Sequence, residues 1–210
     1  MIVGDLLVDP RRKASVRIIL DGRAAWTVPA DVVAELGLAV GQPLPSGAIA
    51  RLDAAADEEA AFRAGLRAIE RRGHARQELA RKLGHKGHPE EAVVGAIDRL
   101  ARLGLLDDRA FAQAWVTARL ARGRGPARLR RDLTALGVEP AIIAEVLAGA
   151  ARDEAAPDPL ERTLAQARRR LAGMQGLPRQ AQRRRLLAFF ARRGWAGDEA
   201  RRHVGALLAD

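Results

Sequence analysis

Two apolar residues four positions apart, followed four positions later by a glycine, form a spacing that occurs three times in the chain. The copies are Leu79, Leu83 and Gly87; Leu129, Leu133 and Gly137; and Leu186, Phe190 and Gly194. After each glycine a second apolar pair recurs six and ten positions on, at Val93 and Ile97, Ile143 and Leu147, and Ala200 and Val204. Such spacings place apolar side chains on one helix face, and glycine ends a helix. The pattern therefore predicts three copies of a turn-linked helix pair.

Each copy is preceded by one more apolar stripe, which predicts a third helix in every unit. The stripes are Phe62, Leu66 and Ile69; Phe111, Trp115 and Ala118; and Leu160, Leu164, Ala167 and Leu171. A short three-helix unit cannot bury all of its faces alone, so we expect the units to stack into an elongated curved array. We place the three repeats at residues 54–106, 107–153 and 154–210, with the segment Asp-Glu-Ala-Ala-Pro-Asp-Pro at 153–159 as a linker.

The first 53 residues have a different pattern, which predicts a small α/β extension. Two apolar runs, VRIIL at 16–20 and AAWTV at 24–28, flank the dipeptide Asp21-Gly22 and indicate a β-hairpin. A two-residue loop would pair Leu20 with Arg23 and split the apolar set. We predict instead a three-residue loop, because it places Val16, Ile18, Ala24 and Trp26 on one face.

A short helix at 31–36, closed by Gly37, follows the hairpin. The predicted fold class is therefore mainly α, with three tandem three-helix repeats and an N-terminal extension over residues 1–53 that contains a β-hairpin.

The net charge of +10 favours polyanionic partners, and it is unevenly spread along the chain. Basic and acidic residues balance in 1–53, whereas 54–106 and 107–153 each carry an excess of two positive charges and 154–210 an excess of six. Arginine supplies almost all of the positive charge, since only Lys13, Lys82 and Lys86 are lysines. Runs of arginine fall opposite the apolar stripes, which predicts basic, solvent-facing sides on several helices.

Several function classes are excluded or disfavoured by what the chain lacks. It has no cysteine, which excludes disulfides and thiolate chemistry, and it has no phosphate-binding glycine loop, nucleophile elbow or zinc-protease motif. His85 and His88 flank Gly87 and precede Pro89, so we interpret them as turn residues and expect no metal. We expect a non-enzymatic protein without cofactors. A lack of long apolar runs and of a signal-peptide pattern predicts a cytoplasmic protein with no membrane contact.

Aromatic residues and helix pairs bear on how nucleic acid could be bound. Aromatic residues make up only 3% of the chain, which disfavours a surface that stacks bases. We interpret Trp115 and Trp195 as core residues, and Asp107 with Asp108 as the cap that opens a helix. A turn-linked helix pair is also the architecture of a helix-turn-helix that reads duplex DNA, and we keep this as one candidate function. However, no helix has the residue mixture that reads base edges.

Two stretches, 71–116 and 121–147, resemble the RecX family of recombinase regulators. The matching residues are Glu78, Leu79, Lys82 and Leu83; Gly104, Leu106, Asp107, Asp108, Phe111 and Ala112; and the stretch from Gly123 to Leu133. The resemblance covers about residues 58–150 closely and 158–208 more weakly, and it leaves out the first 53 residues. His74 departs from the family, many members of which have arginine or another basic or polar residue there.

The resemblance implies a protein that binds the RecA filament on single-stranded DNA, lies in its helical groove, and limits filament growth, ATP hydrolysis, strand exchange and co-protease activity. Such a protein modulates DNA repair, DNA recombination and the SOS response. We expect a monomer whose basic face contacts RecA, single-stranded DNA and also duplex DNA, with no catalytic residue. The predicted contact residues are Lys82, Lys86, Arg119, Arg122, Arg124, Arg128, Arg131, Arg168, Arg169, Arg183 and Arg184.

Overall fold

The computed structural model of the chain describes residues 1–9, 12–153 and 158–209. It separates into two compact units, Met1–Leu106 and Asp107–Asp210. In the described parts, helices make up most of the second unit and just under half of the first, and one antiparallel sheet of three strands lies in the first. The predicted fold class, mainly α with a small N-terminal extension that contains β-strands, is confirmed.

The N-terminal sheet consists of β1 (Val3–Asp9), β2 (Arg12–Leu20) and β3 (Arg23–Pro29), in the order β1-β2-β3. The sequence predicted only the β2-β3 hairpin and missed β1. This edge strand lacks a clean alternation of buried and exposed residues, since Leu7 and Val8 are both exposed, and its register with β2 shifts near each end. A strand without period-two patterning gives little sequence signal.

The hairpin turn corrects the predicted three-residue loop. Leu20 pairs with Arg23, so the loop has two residues, and both Asp21 (φ 46°) and Gly22 (φ 77°) are left-handed, as a type I′ turn requires. The register then shifts, because Ile19 pairs with Ala24 whereas Ile18 pairs with Trp26. The bulge returns the apolar residues of the two strands to one face. Ala24, predicted on that face, is exposed.

Two helices complete the N-terminal part of the first unit. Helix α1 (Ala30–Glu35) forms within one residue of its predicted bounds. Helix α2 (Ala48–Ile69) packs its first half, including Leu52, against the sheet, and its second half, including Phe62, belongs to the core of the first repeat. The predicted boundary between residues 53 and 54 therefore falls within a continuous helix.

The first repeat is completed by α3 (Arg76–Gly84) and α4 (Glu90–Arg102). The four apolar residues of the repeated spacing, Leu79, Leu83, Val93 and Ile97, are all buried in one core. The two helices meet at a turn in which Gly87 adopts a left-handed conformation, with φ 86°. The helix pair that the spacing predicted is thus present.

The second unit holds α5 (Asp108–Leu120), α6 (Pro126–Leu136) and α7 (Pro140–Arg152), followed by α8 (Pro159–Ala172), α9 (Arg179–Arg193) and α10 (Gly197–Ala209). The spaced residues Leu129, Leu133, Leu186 and Phe190 are completely buried. Asp107 caps α5 by accepting hydrogen bonds from the backbone of the first turn, as predicted. Residues 154–157 of the predicted linker lie outside the described residues.

Candidate nucleic-acid interface

A loop rich in arginine and glycine, residues 121–125, joins α5 to α6 and lies against the third repeat. The backbone N–H of Gly125 donates to the carbonyl of Arg193 at 2.6 Å, and Nη1 of Arg193 donates to the carbonyl of Arg122 at 2.9 Å. The hydroxyl of Thr163 donates to the carbonyl of Gly123 at 2.9 Å. The ends of α8 and α9 therefore hold this loop in place.

The close approach of the two backbones depends on glycine at two positions. A Cβ on Gly125 would lie 2.7 Å from the carbonyl oxygen of Gly194, and a Cβ on Gly194 would lie 2.4 Å from the Cβ of Arg128. Gly194 also has φ 92°, a backbone conformation that residues with a Cβ atom rarely adopt. Gly194, the glycine of the third copy of the spacing, thus ends α9 and also lets the backbone of the second repeat pack closely against it.

Aromatic rings support three of the arginines around this loop. The guanidinium carbon of Arg119 lies 3.0 Å from the ring centre of Trp115. Arg170 and Arg193 lie 4.7 and 4.9 Å from the ring centre of Phe189. Contacts of this kind attract a cation to the face of a ring and fix the plane of its guanidinium group.

The arginines of this region repel one another. We call Arg119, Arg122, Arg124, Arg170 and Arg193 the arginine cluster. Burial lowers the pKa of Arg119, and the charges of Arg124 and Arg122 lower it further. Burial likewise lowers the pKa of Arg193, with added repulsion from Arg170 and Arg124. These shared influences place the five positive charges in one electrostatic neighbourhood.

Asp132 on α6 is the carboxylate that balances part of this charge. Its Oδ2 lies 3.9 Å from Nη1 of Arg124, and its Oδ1 lies 2.8 Å from Nε of Arg128. The contact with Arg128 is an ion pair only, because the Nε–H of Arg128 is not aligned for a hydrogen bond to the carboxylate. Within the described parts of the chain, the other members of the arginine cluster make no ion pair.

The predicted contact residues are distributed over both units. Four of those in the second unit, Arg119, Arg122, Arg124 and Arg128, come together around the loop. The others there, namely Arg131 on α6, Arg168 and Arg169 on α8, and Arg183 and Arg184 on α9, are exposed. In the first unit Lys86 is exposed and Lys82 is half-buried. That these residues contact a partner stays a prediction.

Lys82 has a partner inside the first repeat that the sequence did not reveal. Its Nζ lies 3.4 Å from Nε2 of His74, whose side chain is completely buried. Nδ1 of the same ring lies 2.8 Å from Oε2 of Glu78, which also pairs with Arg72. Because lysine can only donate, Nε2 accepts and Nδ1 carries the proton that bonds to Glu78. Burial lowers the pKa of His74, and Arg72 and Lys82 lower it further against the opposing effect of Glu78.

The sequence prediction missed two members of the arginine cluster. Arg170 follows the predicted Arg168 and Arg169, and Arg193 directly precedes Gly194 in the last turn of α9. The position of Arg193 beside a repeated glycine was the available signal. Both predicted core tryptophans, Trp115 and Trp195, are half-buried.

Two other kinds of site are absent from the described residues. No group of three or more histidine, cysteine, aspartate or glutamate side chains is arranged there to hold a metal ion. None of the helices in those residues has both the length and the apolar character needed to cross a bilayer.

The described helices define a protein built from tandem three-helix domains. Two family models match the chain: the first three-helix domain of RecX over residues 61–100 and the second over residues 107–147. Regulatory protein RecX of Halorhodospira halophila (strain DSM 244 / SL1) is 38% identical over 159 residues, which cover 75% of this chain and 94% of that one. Regulatory protein RecX of Thermobifida fusca (strain YX) is 38% identical over 142 residues, 66% and 74% of the two chains. The chain belongs to the RecX family of regulatory proteins.

Solved structures show the same fold. A crystal structure of regulatory protein RecX matches with a TM-score of 0.75 at 20% identity and covers 98% of both chains. The crystal structure of RecX from Lactobacillus salivarius matches with a TM-score of 0.59 at 17% identity, covering 73% of this chain and 98% of that one.

Proposed function

We propose that the chain is a non-enzymatic regulator that binds the RecA filament on single-stranded DNA and inhibits its recombinase, ATPase and co-protease activities. It thereby modulates DNA repair and the SOS response. The observation that carries the proposal is membership of the RecX family, shown by relatives named as regulatory proteins at 38% identity. The same proposal makes the protein a cytoplasmic monomer, present where the filament forms.

The exposed arginines support a partner of this kind. Arg131, Arg168 and Arg183 present their guanidinium groups to solvent from three different helices of the second unit. Each guanidinium is a planar fork of donors that matches the oxygens of a phosphate or a carboxylate. Charge spread over several helices suits a long polyanionic partner better than a single base sequence, because phosphate contacts carry no direct sequence information.

The test is the ATPase rate of RecA on single-stranded DNA at increasing concentrations of the full chain. We expect the rate to fall, and to fall less at high salt, because exposed charges are screened. An ATPase rate that stays constant at a large excess of the protein would overturn the proposal.

Charge reversal identifies the face involved. Arg131→Glu is the informative variant, because Arg131 is exposed, whereas Arg128 lies against Gly194 and its reversal would disturb the fold. We expect Arg131→Glu to weaken inhibition. Arg202→Glu makes the same charge change at an exposed position on α10 outside the predicted set, and we expect it to inhibit like the natural chain. Equal behaviour of the two variants would remove Arg131 from the contact face.

The alternative function, a helix-turn-helix that reads a DNA sequence, makes a different prediction. Such a protein would protect a bounded site on duplex DNA without any recombinase. A regulator of the filament would give no such footprint. Nuclease protection on duplex DNA therefore separates the two functions.

A further inference from the structure

The arginine cluster is built in a way that an ordinary solvated charged surface is not. Arg119 and Arg193 are each held against an aromatic ring, and the backbone of the 121–125 loop is fixed by hydrogen bonds to α8 and α9. Long cationic side chains normally lose conformational freedom when they bind a ligand. Here much of that ordering is already present in the folded chain.

The cluster also has more donors than the chain satisfies. Arg193 uses Nη1 for the carbonyl of Arg122, and Arg119 makes one long contact of 3.5 Å to the carbonyl of Trp115. In the described residues, the side chains of Arg122 and Arg170 donate to no protein acceptor. Because each guanidinium has five N–H donors, several of them remain for a ligand.

The charge balance is the second observation. Asp132 is shared between Arg124 and Arg128, so it cannot neutralise five neighbouring cations. Like charges held together destabilise the folded state, and an anion placed among them would reverse the sign of that contribution. Burial is the main cause that lowers the pKa values of Arg119 and Arg193, and the neighbouring arginines lower them further.

We propose that the arginine cluster, at the contact between α5–α6 and α8–α9, binds a phosphate group of a single DNA strand. The ring-supported guanidinium groups and the shortage of carboxylates point to an oxyanion. A phosphate of a DNA strand exposes two non-bridging oxygens that share one negative charge and accept from several directions, which suits guanidinium groups supplied by more than one helix. This inference rests on the proposed function, which supplies single-stranded DNA as the ligand, but its test needs no recombinase.

A strand is favoured over a free phosphate by the next residues along α8. Arg168 and Arg169 are exposed and directly precede Arg170, so the same helix offers cations for neighbouring phosphates of one strand. Binding of a strand at several phosphates releases counterions and gives a strong salt dependence. A free phosphate would show little of it.

The first test is the affinity of the full chain for a fluorescent oligo(dT), measured by anisotropy. Arg124→Gln and Arg170→Gln each remove one charge from the cluster, and both side chains are accessible enough for the variants to fold, which circular dichroism checks. The control Arg202→Gln removes a charge from an exposed position on α10. We expect the cluster variants to raise Kd about tenfold, the equivalent of one charged hydrogen bond, and the control to change it much less.

The salt dependence of the same binding shows how many phosphates the protein neutralises. For a single strand, the slope of log Kd against log salt should fall by about 0.7 for each phosphate that a variant no longer neutralises. We expect this decrease in both cluster variants and not in the control. Cluster variants that bind like Arg202→Gln would overturn the proposal, and they would leave the proposed inhibition of RecA untouched if ATPase inhibition persists.

The second test separates the two sources of phosphate. We expect oligo(dT) to raise the thermal unfolding midpoint of the natural chain more than inorganic phosphate does at equal ionic strength, and the difference to shrink in Arg124→Gln. A rise with inorganic phosphate as large as the rise with oligo(dT) would overturn the assignment of the ligand as a DNA strand.

Discussion

The hydroxyl of Ser15 on β2 donates a hydrogen bond of 2.7 Å to the carboxylate of Glu59 on α2. The same carboxylate accepts from Arg63 on its own helix and from Arg99 on α4, each at 2.8 Å. One carboxylate thus joins the N-terminal sheet to the first three-helix repeat. Arg99 also lies 3.9 Å from the ring centre of Phe62, so the connection extends into the core of the repeat.

Replacing Glu59 should destabilise the first unit strongly. Glu59 is only 3% exposed; burial raises its pKa, but the hydrogen bonds from Ser15, Arg63 and Arg99 outweigh burial and leave the pKa lowered. Glu59→Gln leaves two half-buried arginines without their anion, and we expect a loss of about 3 kcal/mol in the free energy of unfolding. Urea titration followed by tryptophan fluorescence measures it. Glu70→Gln, at the exposed end of α2, is the control and should change stability by less than about 0.5 kcal/mol.

His74 should make stability depend on pH in the range just below neutrality. Its pKa is lower in the folded chain than in the unfolded one, chiefly because the ring is buried. The unfolded chain therefore binds the proton more readily, so stability is complete above the unfolded pKa of about 6.5 and is lost as the pH falls toward the folded pKa. The slope cannot exceed about 1.4 kcal/mol per pH unit for one proton.

The measurement is urea unfolding at about pH 7.5 and about pH 5.5, above the range in which carboxylates titrate. We expect the natural chain to lose stability between these values and His74→Gln to lose less, since glutamine can donate and accept but does not titrate. The variant keeps the other histidines, so the difference between the two chains isolates His74. The same loss in both chains would contradict this role.

Alanine at Gly125 should disrupt the contact between α5–α6 and α8–α9. The backbone of Gly125 is extended, with φ −78°, so the added Cβ acts through its clashes, which are with the carbonyl oxygen of Gly194 at 2.7 Å and with the ring of Trp195 at 2.9 Å. We expect Gly125→Ala to cost about 3 kcal/mol, measured by urea unfolding. Gly205, inside α10, has open space around its Cβ position. Gly205→Ala should therefore raise stability by about 0.5–1 kcal/mol, and equal effects of the two variants would contradict the packing argument.

The sequence predicted well those features that depend on neighbours three or four residues away. Leu129 and Leu133 are buried because their spacing places them on one helix face, and this holds in every repeat. The hairpin loop was predicted wrongly because strand parity was given more weight than the turn chemistry of Asp21-Gly22. The structure keeps the two-residue turn and corrects the parity with a bulge between Ile18 and Ile19, which no apolar pattern reveals.

The candidate site could be predicted only in part. The arginines of the loop at 121–125 stood out as a basic run, but Arg193 joins them through packing between repeats that are distant in sequence. The environment of Lys82, which the sequence assigned to a basic face, could not be predicted either. Its contact with His74 depends on the angle at which the chain enters α3, and tertiary packing rather than local sequence sets that angle.

Asp132 should set the affinity of the arginine cluster for DNA. Its carboxylate balances Arg128 and Arg124 at 2.8 and 3.9 Å, so Asp132→Asn leaves both cations without their anion. We expect oligo(dT) to bind about three- to fivefold more tightly and with a steeper salt dependence, because the local positive potential rises. Stability should change by less than about 1 kcal/mol, since all three side chains are partly exposed.

Asp198→Asn is the control, because it removes a carboxylate that pairs with Arg201 on α10 and should leave binding almost unchanged. Weaker binding by Asp132→Asn would show instead that Asp132 positions Arg124 for the strand, and the direction of the change decides between these two roles.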